Sequence, residues 1–259
     1  MKRICRREVA KYSAGRSGLS RAVQVLEAFD PRRSELTLTQ VAARTGMSLS
    51  TVHGIVGELL DLGLLERRGR ELILGVKLWE LAVRAPGVFG LRECARPYLE
   101  EVRDKLNQHA QLGILEGTDV LYLERLSAAE STVNFTLVGG RFPWYATSSG
   151  LVLVAGLESE ELSRVLSAPR PKFSREPTES NSVLLTRLAR ARQEGHAVTS
   201  GYLHQGSTSV AVPIVGPYGR AVASLSVIVP SEGFHLASVL KVVAPAARAI
   251  SAKMKNPAG

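Results

Sequence analysis

"TGMSLSTVHGIVGELLDLG", Thr45–Gly63, decides how the first third of the chain is read. Val52, Ile55, Val56, Leu59 and Leu60 recur at i, i+3, i+4, i+7 and i+8, which makes one buried stripe on an α-helix. Ser48 stands where an N-cap side chain takes a first-turn amide. Gly63 stands where a left-handed residue ends a helix. Within this stretch the only formal charges are Glu58 and Asp61. A helix without Lys or Arg is an unusual candidate for reading DNA, yet the segments around it make it one.

Upstream, "TLTQVAARTG" opens with Thr37 and Gln40 at capping-box spacing, carries an inner face of Leu38, Val41 and Ala42, and stops at Gly46. Before it, Ser17–Phe29 has Leu19, Val23, Leu26 and Phe29 at helical spacing, with Pro31 as the stop. Downstream, "LLERRGRELIL" predicts two short strands around a turn at Arg68-Gly69-Arg70. Two helices, a short Gly-bearing turn, a third helix and a hairpin spell a winged helix-turn-helix.

The charge distribution agrees. Of the 33 Lys and Arg, 13 fall in residues 1–70, against 7 Asp and Glu. The whole chain of 259 residues has a formal net charge of +9, and its positive field is concentrated at the N-terminus, which suits a polyanion. Residues 1–16, "MKRICRREVAKYSAGR", read as a basic flexible arm, either a solvated tail or a strand of phosphate contacts. No apolar run reaches the length of a membrane span and no signal-like segment opens the chain, so a cytoplasmic location is expected. Cys5 and Cys94 suggest neither a disulfide framework nor a metal site.

Beyond a linker helix at Leu78–Val83 and a break at Ala85-Pro86-Gly87, residues 91–255 read as mixed α and β. A helix is expected over about Leu91–Asn107, then strands at "LGILEG", "VLYLERL" and "STVNFTLV". "SSGLVLVAGL", "SEELSRVLSA" and "NSVLLTRLARARQEG" read as helices, and "TSVAVPIVGPYGRAVASLSVIV" as two strands turned at Gly216-Pro217-Tyr218-Gly219. A last helix spans roughly His235–Met254. The fold class expected is α+β, with an antiparallel sheet and flanking helices in the second domain. The predicted divisions are 1–16 (arm), 17–77 (winged helix-turn-helix), 78–90 (linker) and 91–255.

Taken in order, "SRAVQVLEAF", "LTLTQVAARTGMSLSTVHGIVGELLDLGLLER", "ILGVKLWELA", "LRECARPYLEEV", "GGRFPWYATSSGLVLVAGL", "LARARQEGHAV" and "GSTSVAVPIVGPYGRAVASLSV" resemble the IclR family of bacterial transcription regulators over about Ser17–Ala252. The resemblance implies a GAF-like second domain that binds a small effector, often an organic acid. It also implies a dimer or dimer of dimers on double-stranded DNA, acting more often as repressor than activator. Two-fold symmetry would call for a palindromic operator, with α-helix Ser17–Phe29 and the linker helix near Trp79 as dimer surfaces.

For DNA, the expected contacts are Ser48, Ser50, Thr51, His53 and Gly54 on the reading helix, Gln40 and Arg44 on the helix before it, and Arg67, Arg68 and Arg70 on the wing. Hydroxyls and an imidazole can address base edges while arginines hold phosphates. Many family members carry a basic residue where Leu49 stands and Arg where Gly54 stands, so a strong guanine contact is missing. Gly54 either lets the helix approach DNA closely or occupies an indifferent solvent position.

For the effector, "YATSSG" opens a helix whose free amides suit a carboxylate. The family match then assigns Ser148 and Ser149 to an acidic ligand, with Ser209 in "GSTSVAV" lining the pocket and Thr199 in the stretch "GHAVTSGYLHQG", read as a loop. Thr199 stands where some members present Asp. Arg141 is a further acid-recognising candidate, and Leu137 and Trp144 a candidate apolar wall. Each has a structural alternative: helix caps for the serines, a surface ion pair for Arg141, core or interface for Trp144.

No nucleophile elbow, P-loop or dinucleotide fingerprint is present, and His53, His109, His196, His204 and His235 form no metal-binding pair in sequence, so neither an enzyme nor a cofactor is expected. A general nucleic-acid binder with a degenerate reading helix is the alternative function.

Overall fold

The computed structural model describes residues 17–30, 33–129, 131, 132, 134, 136–173, 179–202 and 204–255. The expected basic arm, 1–16, lies outside them. The chain divides into two compact units, one ending at Phe89 and one starting at Gly90.

In the first unit, α1 (Gly18–Leu26) is followed by β1 (Leu36–Thr37), α2 (Leu38–Thr45), α3 (Leu49–Asp61), β2 (Leu65–Arg68), β3 (Glu71–Leu74) and α4 (Val76–Ala82). The capping box of α2 forms as spaced. Thr37 N donates to Gln40 Oε1 at 2.8 Å and Gln40 N to Thr37 Oγ1 at 3.3 Å. Ser48 caps α3 by accepting from Thr51 N at 3.2 Å. Val25, Phe29, Leu36, Val41, Val52, Val56, Leu59, Leu65 and Leu72 form the core. The hairpin pairs Arg68 with Glu71, and β1 adds a third strand through Leu36–Leu72, which sequence pattern alone does not announce. Gly75 is needed where the hairpin closes onto the end of α3: a Cβ there would stand 2.1 Å from Gly63 O.

Two expected boundaries shift. The first helix, expected to reach Phe29, ends at Leu26. Ala28 N and Phe29 N bond only three residues back, to Val25 O and Leu26 O, and Ala28 O accepts from Arg44 Nη1 at 2.6 Å. The break at 85–87 is also smaller than expected. Helix α5 (Pro86–Leu106) begins on the proline itself, where a missing amide has no intrahelical acceptor to lose.

The second unit continues with β4 (His109–Glu116), β5 (Asp119–Leu126), β6 (Arg141–Pro143), a 3₁₀ turn (Trp144–Ala146), α6 (Ser148–Ala155), α7 (Ser159–Ser167), α8 (Asn181–Glu194), β7 (Ala197–Ser200), β8 (Ser207–Val215), β9 (Ala221–Pro230) and α9 (Leu236–Lys255). The six strands run in the order β6-β5-β4-β9-β8-β7, antiparallel throughout. One sheet face buries Leu112, Ile114, Val212, Leu225 and Val227 with Leu99, Val102, Val243 and Ile250 of α5 and α9. The other packs Ala211 with Trp144, Leu151, Val154, Leu184 and Leu188.

The strand expected at "STVNFTLV" is not formed by its described residues. Asn134 Oδ1 accepts from both Thr136 N (2.9 Å) and Thr136 Oγ1 (2.7 Å), a local side-chain turn that diverts backbone from ladder pairing. Conversely, "GHAVTSGYLHQG", read as loop, supplies the edge strand β7.

A bulge in β5 decides which of its side chains face α5 and which face α6. Gly113 pairs with Tyr122 but Leu112 pairs with Glu124, leaving Leu123 as the extra residue. Tyr122 and Glu124 therefore sit on opposite faces. Tyr122 joins Val120, Phe142 and Leu153, whereas the buried Glu124 meets Arg92 Nε at 2.9 Å and Arg96 Nη1 at 3.6 Å on α5.

Candidate DNA-reading face and effector site

The helix-turn-helix shows one side of α3 to solvent. Ser48, Leu49, Ser50, His53 and Gly54 are exposed, Thr51 half-buried. The hydroxyls are linked to each other, with Ser48 Oγ 3.1 Å from Ser50 Oγ and 2.8 Å from Thr51 Oγ1. A Cβ at Gly54 would meet nothing within 4 Å. The fold itself thus does not require glycine there, and the absence of a side chain leaves the helix backbone open to close approach.

The basic residues fall into two groups. Arg67, Arg68 and Arg70 are exposed on the hairpin, and only Arg68 has an ion pair among the described residues, 3.9 Å from Glu35. Arg44, expected to grip phosphate, is instead engaged inside its own unit. It donates to Ala28 O and to Asp30 Oδ2, both at 2.6 Å, and so ties α2 to the end of α1. Gln40 likewise spends its side-chain oxygen on the capping box.

In the second unit, register brings polar side chains into rows on the sheet face that packs against α6. His109, Ile228, Ser209 and Thr199 are successive cross-strand partners, and Gln111, Ser226 and Ala211 form the next row. Ser224 stands opposite Gly113. Gln111, Ser224, Ser226 and Thr199 are buried. Among the sequence-derived candidates, Ser148, Ser149, Thr199 and Ser209 come together here, and Ser148 Oγ lies 2.7 Å from Ser209 Oγ. The N-cap of α6 is Thr147, whose Oγ1 accepts from Gly150 N at 2.9 Å, so Ser148 and Ser149 are not the caps. Their amides belong to the first turn, which has no intrahelical acceptor. The Ser149 hydroxyl is buried without a hydrogen-bond partner of ordinary geometry, although the phenol of Tyr122 is close enough to feel it.

Arg141 is placed elsewhere, whereas Trp144 packs with Ala211 and Leu151 on the sheet face beneath α6. Arg141 lies on β6, four strand spacings from Ser209 on β8, or about 19 Å, and reaches back to Glu116 O at 3.4 Å. Leu137 is half-buried in the segment before β6. Trp144 is fully buried in the core under α6.

Sequence reasoning missed the sheet's own polar residues. Ser226 Oγ donates to Gln111 Oε1 at 3.3 Å, and Gln111 Nε2 donates to Thr136 Oγ1. Thr136 O accepts from Arg125 Nη1 at 2.5 Å. A signal exists: "HAQLG" and "ASLSV" place a polar residue at every second position of central strands whose other face is apolar. Electrostatics reflect burial. Desolvation pushes the Tyr122 phenol up to about 12, so it remains a neutral donor. Burial also lowers His109, opposed by its bond to Thr132 O at 2.6 Å and assisted by the charge of Arg125. The face therefore offers neutral donors, one guanidinium and the first-turn amides of α6, a set suited to a polar or anionic small molecule.

Among the described residues no helix is long and apolar enough to cross a membrane, and no group of three or more His, Cys, Asp or Glu is placed to hold a metal ion.

Comparison with known proteins fits both faces. Residues 18–69 match the IclR helix-turn-helix domain and residues 84–252 the bacterial transcriptional regulator IclR C-terminal domain. The chain is 31% identical to the HTH-type transcriptional regulator XynR of Escherichia coli, covering 80% of this chain and 84% of that protein. It is 32% identical to the Pca regulon regulatory protein of Pseudomonas putida, covering 82% and 73%. Among solved structures, an IclR homologue from Microbacterium hydrocarbonoxydans complexed with 4-hydroxybenzoate superposes with a TM-score of 0.85 at 35% identity, covering 92% of this chain and 99% of that one. The chain belongs to the IclR family of bacterial transcriptional regulators.

Proposed function

We propose that this regulator binds a near-palindromic operator as a dimer or dimer of dimers, represses from it in the cytoplasm, and changes its grip when a small organic acid occupies the polar sheet face beneath α6. The observation that carries the ligand half is the meeting of Ser148 and Ser209 at 2.7 Å over the buried row of Gln111 and Ser226. An acid there can accept from the α6 amides while its other end lies on neutral donors. The complex of the Microbacterium homologue with 4-hydroxybenzoate supports a carboxylic acid as the class. Residues 17–77 are the proposed reading unit, 78–90 the connection and 91–255 the sensor.

For the DNA half, Ser48, Ser50, Thr51, His53 and Gly54 address bases, and Arg67, Arg68 and Arg70 hold phosphates. Gln40 and Arg44 support that surface from behind. Dimerisation is supported by apolar side chains left in solvent, Leu19 (76% exposed) and Val23 on α1, Val76 and Trp79 (64% exposed) on α4. The effector must bind one dimer geometry better than the other to move the equilibrium.

Calorimetric titration with 4-hydroxybenzoate and a panel of aliphatic and aromatic carboxylates tests the site. Ser148→Asp places a carboxylate against Ser209 Oγ and is expected to weaken acid binding at least about tenfold, or 1.4 kcal/mol. Undiminished binding in that variant removes the carboxylate from this face.

A further inference from the structure

A continuous set of polar and charged bonds crosses the sheet at β5, from the polar face beneath α6 to helix α5. It starts where Ser226 Oγ donates to Gln111 Oε1 at 3.3 Å and Gln111 Nε2 donates to Thr136 Oγ1. Arg125 is the cross-strand partner of Gln111, so its side chain leaves the sheet on that same face. Its Nη1 donates to Thr136 O at 2.5 Å. The main chain then carries the contact through the sheet, because Arg125 N donates to Glu124 Oε1 at 3.2 Å. On the far face, Glu124 Oε2 accepts from Arg92 Nε at 2.9 Å and stands 3.6 Å from Arg96 Nη1.

Glu124 is thus held at both oxygens, with a side chain only 6% exposed. Charge-assisted bonds of this kind are shorter than neutral ones and about twice as strong. A buried carboxylate that loses a cationic partner keeps its desolvation cost uncompensated, so it and its partners move together. The bulge at Leu123 makes the arrangement possible. Without that extra residue Glu124 would oppose Gln111 on the polar face, and α5 would lose its carboxylate. Helix α5 starts at Pro86 and the two units divide after Phe89, so the helix that Glu124 holds is the one by which the chain enters the second unit.

We propose that Glu124 is a positioning residue that conveys occupancy of the polar sheet face to α5. This rests on the sheet face being the effector site. An acid that draws on the Gln111 amide or the Arg125 guanidinium displaces the Arg125 main chain. Glu124, bonded to that amide and to Arg92, passes the displacement to the helix. Occupied and empty faces then favour different settings of α5, which is the difference an effector needs in order to move an equilibrium.

Hydrogen exchange of the α5 amides in the full chain, read by mass spectrometry, tests the link without any ligand. Gln111→Leu perturbs the polar face. It is expected to speed exchange over residues 92–99 at least about fivefold in the native background, and less than about twofold in a Glu124→Gln background. A purely structural ion pair would instead give additive effects, with the same response to Gln111→Leu in both backgrounds. Should Glu124→Gln fail to fold, Arg92→Gln cuts the same link from its half-exposed side, and the same loss of response is expected. Function is then read with the carboxylate of the calorimetric panel that binds the native chain most tightly. Glu124→Gln should bind it within about twofold of native, while the effect of that acid on operator affinity, followed by anisotropy, shrinks at least about fivefold. Additive exchange effects overturn the proposal, and so does a Glu124→Gln protein with the native acid response at the operator. A native chain that binds no carboxylate of the panel overturns the sheet-face reading instead, since the exchange experiment contains no ligand.

Discussion

Replacing Arg67, Arg68 and Arg70 together by alanine separates DNA grip from DNA reading. All three side chains are exposed on the hairpin, and the one ion pair they make among the described residues, Arg68 to Glu35 at 3.9 Å, is between exposed groups and worth less than about 1 kcal/mol. The fold should therefore tolerate the change. Each lost phosphate contact lowers the salt slope by about 0.9, so the slope of one reading head should flatten by about 2.7 log units of affinity per tenfold change in salt. Between about 50 and 200 mM salt, the native head should lose roughly forty times more affinity than the variant does. Fluorescence anisotropy on an operator duplex and a scrambled duplex, over that salt range, reads the effect directly. The expected result is weaker binding to both duplexes, a flatter slope and an unchanged ratio between them. Arg44→Ala is the contrast. It removes two 2.6 Å hydrogen bonds from a charged donor that is about two-thirds covered, so it should lower stability by roughly 1–3 kcal/mol and leave the slope of the folded fraction alone. A variant hairpin that keeps its slope but loses discrimination would refute this division of labour, as would an Arg44→Ala protein of native stability with a flattened slope.

Other consequences concern the fold and its pH response. Gly75→Ala forces a Cβ to 2.1 Å from Gly63 O, and thermal melting should show the winged unit destabilised by several kcal/mol, while Gly54→Ala, in open space, should be neutral or slightly stabilising by about 1 kcal/mol. His109 has its pKa held below the ordinary 6.5, chiefly by burial. The unfolded chain then binds a proton that the folded one refuses, so stability is complete above about pH 6.5 and falls as pH drops below it. Denaturant titrations at pH 7.5 and 5.5 should show that loss, and His109→Gln should shrink it; an equal loss in the variant assigns the pH response to other groups.

Where an element is fixed by its neighbours in sequence, it was legible. Thr37 and Gln40 cap α2, Ser48 caps α3 and Gly69 turns the hairpin because these are contacts three residues apart or less. The winged helix-turn-helix and the mixed second domain emerge from such local signals taken in order. What escaped depends on distant partners. "STVNFTLV" alternates like a strand, but Asn134 captures the Thr136 amide and its described residues join no ladder. A bulge at Leu123 turns Glu124 toward Arg92 instead of the polar face, and no turn residue announces it. The hydrogen bonds of Arg44 to Ala28 O and Asp30 Oδ2 join residues sixteen and fourteen apart, which local spacing does not announce. The candidate site divides similarly. Ser148, Ser149, Thr199 and Ser209 converge, while the sheet order sends Arg141 to the opposite edge and the core buries Trp144.

The central claim is that an α3 helix without a single Lys or Arg chooses a DNA sequence through Ser48, Ser50, Thr51 and His53. Selection of genomic fragments by the purified protein, sequenced after washing at low and at moderate salt, tests it most directly. A recurring near-palindrome that survives moderate salt is the predicted result. Binding that disappears with salt and leaves no consensus would contradict it, because the grip would then come from charge alone and the helix would read nothing.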